Sequence, residues 1–346
     1  MRGKMRAVAK LRPEPGAQLV EVDIPAPGPR DVLVKVKATS ICGTDVHIYK
    51  WDEWSQNRIR TPRIIGHEFA GEVVEVGAEV TGVNPGDLVS AETHIVCGRC
   101  YQCLTGAGHI CKLCSIIGVD RDGAFAEYVA LPAENAWLNP PGLAPELASI
   151  QEPLGNAVHT VLSGEIAALN VAIIGCGPIG LAAIAVAKAC GAARVVATDV
   201  NLYRLGLAVK LGADRAVNAA QEDAVCVILE ETGGEGADVV LEMSGHPGAI
   251  RDGFRALRNG GRVALLGIPA RPVELDLTND IVFKGAHVIG ITGRLMYKTW
   301  YQTRALLASG RVNVAPIITH RFPLAEFRQA IELVASGDSG KVIMCP

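Results

Sequence analysis

The sequence predicts an α/β protein in two parts, a β-rich half and a doubly wound parallel sheet of the dinucleotide-binding kind. Three observations predict it. Short alternating strands crowd the first segment. Near-continuous Val/Ile/Leu runs alternate with helical patterns from about residue 171 onward. The first of those runs then opens into Gly175-Cys-Gly177-Pro-Ile-Gly180.

In the first segment, residues 31–38 alternate apolar with polar, as a half-buried strand must. Residues 72–77 and 86–90 are short strands bounded by Gly and Pro turns. A cysteine-rich lobe at 93–118 interrupts the β region. After it come six apolar runs at 171–174, 194–198, 215–218, 238–242, 262–267 and 287–291, separated by helical patterns. Such runs belong to parallel strands covered on both faces, and six of them suit a doubly wound sheet. A helix is expected from Trp300 to about Ser309, and 341–345 is expected to be a strand returning to the first part. The expected division is 1–160 with 295–346 for the β-rich domain and 161–294 for the dinucleotide domain.

Composition narrows the class. The chain has 346 residues, a net charge of −3 and 20% charged residues, which gives no reason to expect nucleic acid or an anionic membrane as partner. Its longest apolar run, 179–186, is too short to span a bilayer. The N-terminus lacks an apolar signal core, so a cytoplasmic home is expected. Six of the ten cysteines fall between Cys42 and Cys114, a clustering that favours metal over disulfides.

Cys97, Cys100, Cys103 and Cys111 follow C-x2-C-x2-C-x7-C. Four thiolates this close converge on one tetrahedral zinc with every position filled, a structural staple. Cys114 falls outside the pattern. The surplus negative charge of four thiolates requires backbone N–H groups, or Arg99 and Lys112, to offset it. A second, open zinc is expected where Cys42 and His67 meet a carboxylate from Glu68 or Glu152; either glutamate is a ligand or a near neighbour. Thr44 and His47 follow Cys42 closely. They read equally well as a hydroxyl and imidazole that pass a proton outward, or as a helix-capping Thr and a surface His. Trp51-Asp-Glu-Trp54 either walls a pocket or packs its own loop, and His94 is similarly open.

Gly175, Gly177 and Gly180 form G-x-G-x-x-G after a strand and before a helix, with Asp199 ending the next strand 19 positions on. Glycines there admit a pyrophosphate to a helix N-terminus. Asp199 accepts from ribose hydroxyls and repels a 2′-phosphate, so NAD is favoured over NADP; Arg204 is the contrary sign. A closed zinc, an open zinc and a nicotinamide site together mean hydride transfer from an alcohol.

Together these residues resemble the zinc-dependent medium-chain dehydrogenase/reductase superfamily over essentially the whole chain. The specific stretches are Ser40-Ile-Cys-Gly-Thr-Asp-Val-His-Ile-Tyr-Lys-Trp-Asp-Glu-Trp54, Glu92-Thr-His-Ile-Val-Cys97, Gly118-Val-Asp-Arg-Asp-Gly-Ala-Phe-Ala-Glu-Tyr128, Pro153-Leu-Gly-Asn-Ala-Val-His-Thr160 and Gly290-Ile-Thr-Gly-Arg294. The tryptophan-bearing stretch looks most like the branch that oxidises L-threonine at its β-hydroxyl. The resemblance implies a GroES-like catalytic domain, a Rossmann domain and a homotetramer. It implies Cys42, His67, Glu68 and Glu152 as catalytic zinc ligands or near-ligands, with Thr44 and His47 as a proton relay. It places cofactor contacts at Ile179, Asp199, Arg204, Leu266, Gly267, Ile268, Ile291 and Thr292. Alcohol dehydrogenases of the superfamily carry a cysteine where this chain has Glu152, which fits the threonine and polyol branches. A polyol or 2,3-butanediol dehydrogenase is therefore the nearest alternative. Arg294 and His94 are candidate contacts for the substrate's charged groups.

Overall fold

The computed structural model describes residues 2–346. In chain order the elements are β1 (Lys4–Lys10), β2 (Gln18–Asp23), β3 (Asp31–Ser40), α1 (Gly43–Lys50), α2 (Glu53–Arg58), β4 (Arg63–Ile64), β5 (Glu68–Val76), β6 (Leu88–Ala91), β7 (His94–Ile95), α3 (Tyr101–Leu104), β8 (Ser115–Ile116), β9 (Tyr128–Pro132), β10 (Ala136–Leu138), α4 (Pro145–Ser149) and α5 (Gln151–Val161). The parallel sheet follows with β11 (Asn170–Ile174), α6 (Pro178–Ala189), β12 (Arg194–Asp199), α7 (Leu202–Lys210), β13 (Arg215–Asn218), α8 (Ala224–Glu231), β14 (Ala237–Glu242), α9 (Pro247–Ala256), β15 (Leu257–Leu265) and β16 (His287–Gly290). Last come α10 (Lys298–Ala308), β17 (Ile318–Pro323), α11 (Phe327–Ser336) and β18 (Lys341–Cys345).

The chain forms two compact units. One runs to Glu152 and resumes at Ile318–Pro346; the other is Pro153–Ile317. These limits differ from 160/161 and 294/295. The first limit falls inside α5, a single helix that the sequence offers no break to divide. The second moves because the turn at Ala315–Ile317, downstream of α10, packs on α6 and α7.

In the first unit a sheet runs β10-β6-β5-β3-β18-β17, with β9 also paired to β3. β18 lies antiparallel to β3, Met344 opposite Thr39, so the C-terminal strand does return to the β-rich part. Val34, Phe69, Val73, Val89 and Leu131 fill one side of this sheet. On another, Ile48 of α1 packs with Phe327, Ile331 and Met344, and Tyr49 meets the Phe327 ring edge-on at 5.9 Å. That packing fixes α1, the helix whose N-terminus carries Cys42.

The second unit is a parallel sheet in the order β13-β12-β11-β14-β15-β16, the doubly wound order in which strand sequence reverses between β11 and β14. All six expected strands are present. β15 starts five residues before the expected 262, because Asn259-Gly-Gly261 looks like a turn but is carried through a register shift against β14. The apolar run 179–186 is α6, buried along the sheet. No described helix is long and apolar enough to cross a membrane.

Candidate active site

The four-cysteine lobe is built from one contiguous stretch. Its sulfurs lie 3.5 Å (Cys100 to Cys103), 3.5 Å (Cys97 to Cys111) and 3.8 Å (Cys100 to Cys111) apart. Four ligands at about 2.3 Å from a central ion in tetrahedral array stand about 3.8 Å apart, so the spacing fits zinc and is far too long for a disulfide. The charge is offset by backbone, as expected. N–H groups of Arg99 and Cys100 lower the Cys97 pKa, and those of Cys103 and Lys112 bring Cys100 down to about 6. Cys111 accepts from the N–H groups of Cys97 and Leu113.

The open site draws on separate elements. Cys42 is the N-cap of α1, with its N–H donated to Asp45 Oδ2 at 2.9 Å. His67 and Glu68 stand where β5 begins. Ligand atoms of Cys42, His67 and Glu68 all lie within 4.8 Å of one another. Glu152, in the first turn of α5, lies outside that trio but is close enough for its charge to act on both His67 and Lys341.

Electrostatics shows what the site favours. Burial pushes the His67 pKa down, yet Asp45, Cys42 and Glu152 outweigh burial and raise it to about 10. The three groups together favour positive charge at this point of the site. His67 Nδ1 and Asp45 Oδ1 are both buried without a hydrogen-bond partner and face one another at 3.8 Å. Burial raises Asp45 itself to about 6. Sequence reasoning passed over Asp45; its position three residues after the N-cap, as in a capping box, was the available signal.

Glu68 is held differently. Its carboxylate takes Lys341 Nζ on both oxygens, at 2.5 Å to Oε1, and the Ser40 hydroxyl on Oε2. Lys341 also donates to the Ile41 carbonyl and is almost wholly buried. The charge of Glu68 is thus met by Lys341, while its carboxylate remains one of the three groups within 4.8 Å of one another.

Thr44 Oγ1 lies 3.9 Å from Cys42 Sγ. His47, one helical turn further along α1, is exposed, with Nδ1 against Asp52 and its ring 6.3 Å from that of Trp54. Trp51 ends α1 in the left-handed region (φ 59°), with Lys10 Nζ of β1 4.7 Å from its ring, and packs against the core that holds α1. His94 is tied by N–H and Nδ1 to buried Glu92 at 2.9 and 3.1 Å. Arg294 is fully buried, lying over Trp300 and donating to Asn156 Oδ1, which gives it a packing role in the second unit.

In the second unit the three fingerprint glycines divide the work. Gly175 has φ +96°, and a Cβ there would strike Ser244 at 2.9 Å. At Gly180 a Cβ would sit 1.9 Å from the Gly175 carbonyl, so helix and turn could not close. At Gly177, the uncapped N-terminus of α6, a Cβ would meet nothing, leaving room for a pyrophosphate on the helix N–H groups. Ile179 lies in that first turn. Asp199 Oδ2 accepts from Cys176 N–H at 2.7 Å and Oδ1 from Asn201 N–H at 2.9 Å, which fixes the carboxylate beside the glycine turn. Arg204 Nε is buried without a partner. Leu266 and Gly267 donate to the Glu242 carbonyl, Ile268 is 91% exposed, and Ile291 donates to Leu265 with Thr292 exposed beyond it. Glu242, unremarked in the sequence, accepts from Ser244 and Gly245 and so ties the loop after β14 to that turn.

Comparison with known proteins agrees with this geometry. The alcohol dehydrogenase GroES-like domain family matches residues 28–141, and the zinc-binding dehydrogenase family matches 178–309. A curated L-threonine 3-dehydrogenase from Bacillus licheniformis is 57% identical over 346 residues, covering 100% of both chains. Among solved structures, a chain provisionally described as a zinc-binding dehydrogenase from Sinorhizobium meliloti, bound to NADP, is 33% identical with TM-score 0.92 over 99% of this chain and 100% of its own. The 2R,3R-butanediol dehydrogenase from Bacillus subtilis is 28% identical with TM-score 0.89 over 99% of each.

Replacing one lobe sulfur tests the staple. Cys100→Ser should lower bound zinc from two ions to one per chain by elemental analysis. It should also lower the melting temperature by about 5 °C or more, the shift that a loss of about 2 kcal/mol makes in a domain of this size.

Proposed function

The chain belongs to the zinc-binding dehydrogenases with a GroES-like domain, in the branch of the L-threonine 3-dehydrogenases, and from that membership we propose how its residues act. It oxidises the β-hydroxyl of L-threonine with NAD, giving 2-amino-3-oxobutanoate, NADH and a proton. The observation that carries this reading is the convergence of Cys42, His67 and Glu68 within 4.8 Å, with Glu152 close enough for its charge to act on His67. When bound, zinc supplies a Lewis acid that acidifies an alcohol, and NAD takes up the hydride. Cys42, His67 and Glu152 are the residues that would hold the metal, with Glu68 kept in reserve by Lys341. Asp45 orients His67 and Cys42 from behind. Thr44 takes the hydroxyl proton and His47, exposed at 60%, releases it to water. Asp199 presents the acceptor for the adenosine ribose. Full-length identity of 57% to a threonine enzyme against 28% to a butanediol enzyme favours threonine over the diol.

A homotetramer is supported by two separate apolar surfaces. One lies at the open edge of the parallel sheet and the helical turn before it, where Val288 is 42% exposed and Val282 and Phe283 are 67% and 74% exposed. The other is the cysteine lobe, where Tyr101 and Leu104 are each 74% exposed. A tetramer of two-fold symmetry needs two distinct self-complementary patches. The cysteines outside the two metal sites form no disulfide, which fits a reducing cytoplasm.

With NAD present, the holoenzyme should turn over threonine at least about a hundredfold more efficiently than sorbitol or butane-2,3-diol. Cys42→Ser should lose turnover while calorimetry still detects NAD. Preference for sorbitol, or activity in Cys42→Ser, refutes the reading. Asp199→Gly should move cofactor preference toward NADP by about tenfold, equivalent to about 1.4 kcal/mol, in competing kcat/KM values. Light scattering should give four times the 36.4 kDa chain mass.

A further inference from the structure

We propose that Asp52 is a positioning residue for the reaction, fixing the His47 ring so that Nε2 is the nitrogen that accepts the proton. The inference rests on the reading of His47 as the outer member of the relay. Asp52 lies at the break between α1 and α2 and uses both carboxylate oxygens. Oδ1 accepts from Ser55 N–H at 3.1 Å, capping α2, while Oδ2 meets His47 Nδ1. A cap needs only one oxygen; the second is committed to the imidazole. An ionised carboxylate only accepts, so the proton of a neutral His47 sits on Nδ1 and the lone pair on Nε2. Burial opposes charge on Asp52, but the Ser55 N–H and His47 together hold its carboxyl below the usual range.

The surroundings keep this pair in register. Trp51 N–H donates to the His47 carbonyl at 2.9 Å, and the Trp51 carbonyl accepts from Gln56 Nε2 at 2.9 Å. Lys10 covers the Trp51 ring, and Trp54 lies tilted at 59° to the imidazole. Asp52 therefore cannot swing away without uncapping α2. At the surface, with side chains 60% and 38% exposed, the contact contributes little to stability. What it contributes is the choice of tautomer, in the way a carboxylate behind a catalytic histidine sets which nitrogen is basic.

Asp52→Asn separates the two duties. Asparagine caps a helix as well as aspartate does. With its carbonyl on Ser55, however, its amide N–H2 faces His47 Nδ1 and forces the ring proton onto Nε2. In the zinc- and NAD-loaded enzyme, kcat for threonine should fall about tenfold to a hundredfold, with the KM for NAD unchanged. Asp52→Ser, which also caps α2 but releases His47, should slow in the same sense. 15N spectra of histidine-labelled enzyme, with His47 identified by its loss in His47→Asn, should show Nδ1–H in the parent and Nε2–H in Asp52→Asn. An unchanged tautomer overturns the proposal. So does full-speed Asp52→Asn beside a slow His47→Asn, which leaves the relay itself standing. Full turnover in His47→Asn sinks the relay reading and this inference with it.

Discussion

Buried negative charge around His67 is the constraint on which the first unit depends. Asp45, Glu68 and Glu152 are at most 7% exposed, and Cys42 stands beside them. Carboxylates so placed are costly unless paired, because taking an ion out of water costs several kcal/mol. Lys341 meets one of them. The rest converge on His67, whose pKa they raise despite its burial. A divalent ion is the natural occupant. The arrangement is poorly explained as fold stabilisation, since an apolar cluster of the same volume would serve that end as well or better.

Lys341 shows how the sheet is recruited to the chemistry. It opens β18, which is laid along β3, and the pairing of Met344 with Thr39 carries its ammonium to Glu68 across 273 positions of sequence. The same strand packs Met344 against α1 and α11, and so steadies the helix that presents Cys42, Thr44 and His47. Backbone topology, core packing and the charge of the site thus meet in one strand.

How much of this was legible in the sequence follows from how local each feature is. The cysteine lobe was legible because its ligands, and the N–H groups that offset them, lie within one short stretch. The parallel strands were legible because burial on both faces leaves near-continuous Val/Ile runs. Cys42 and His67 were legible by residue type, in turns flanked by glycine. Lys341 was not, since a lysine in Gly-Lys-Val-Ile reads as the start of a strand until the fold brings it to Glu68. Asp45 and Asp52 were hidden for another reason. Each sits at a cap, where aspartate has an ordinary structural use that masks a second one. The unit boundary inside α5 left no trace because helical pattern continues through Glu152 and Pro153, and proline is tolerated in a first turn.

The two metal sites of the first unit therefore differ in what folding must do for them. In the lobe, four thiols sit within one short stretch around a tight helical turn, and neighbouring N–H groups lower the Cys97 and Cys100 pKa values. Such a site can organise around its ion with little help from the sheet. The open site needs the N-terminus of α1 and the start of β5, which carry Cys42, His67 and Glu68, to be in place together. Ion binding there is coupled to assembly of the whole unit, and any strain on α1 or β18 is felt as weakened metal affinity. That coupling accounts for the investment of packing in α1: a helix of eight residues, too short to be stable alone, is held by Ile48 and Tyr49 against α11. Its N-terminal residues thereby bring Cys42, Asp45 and His47 to fixed places beside the open site.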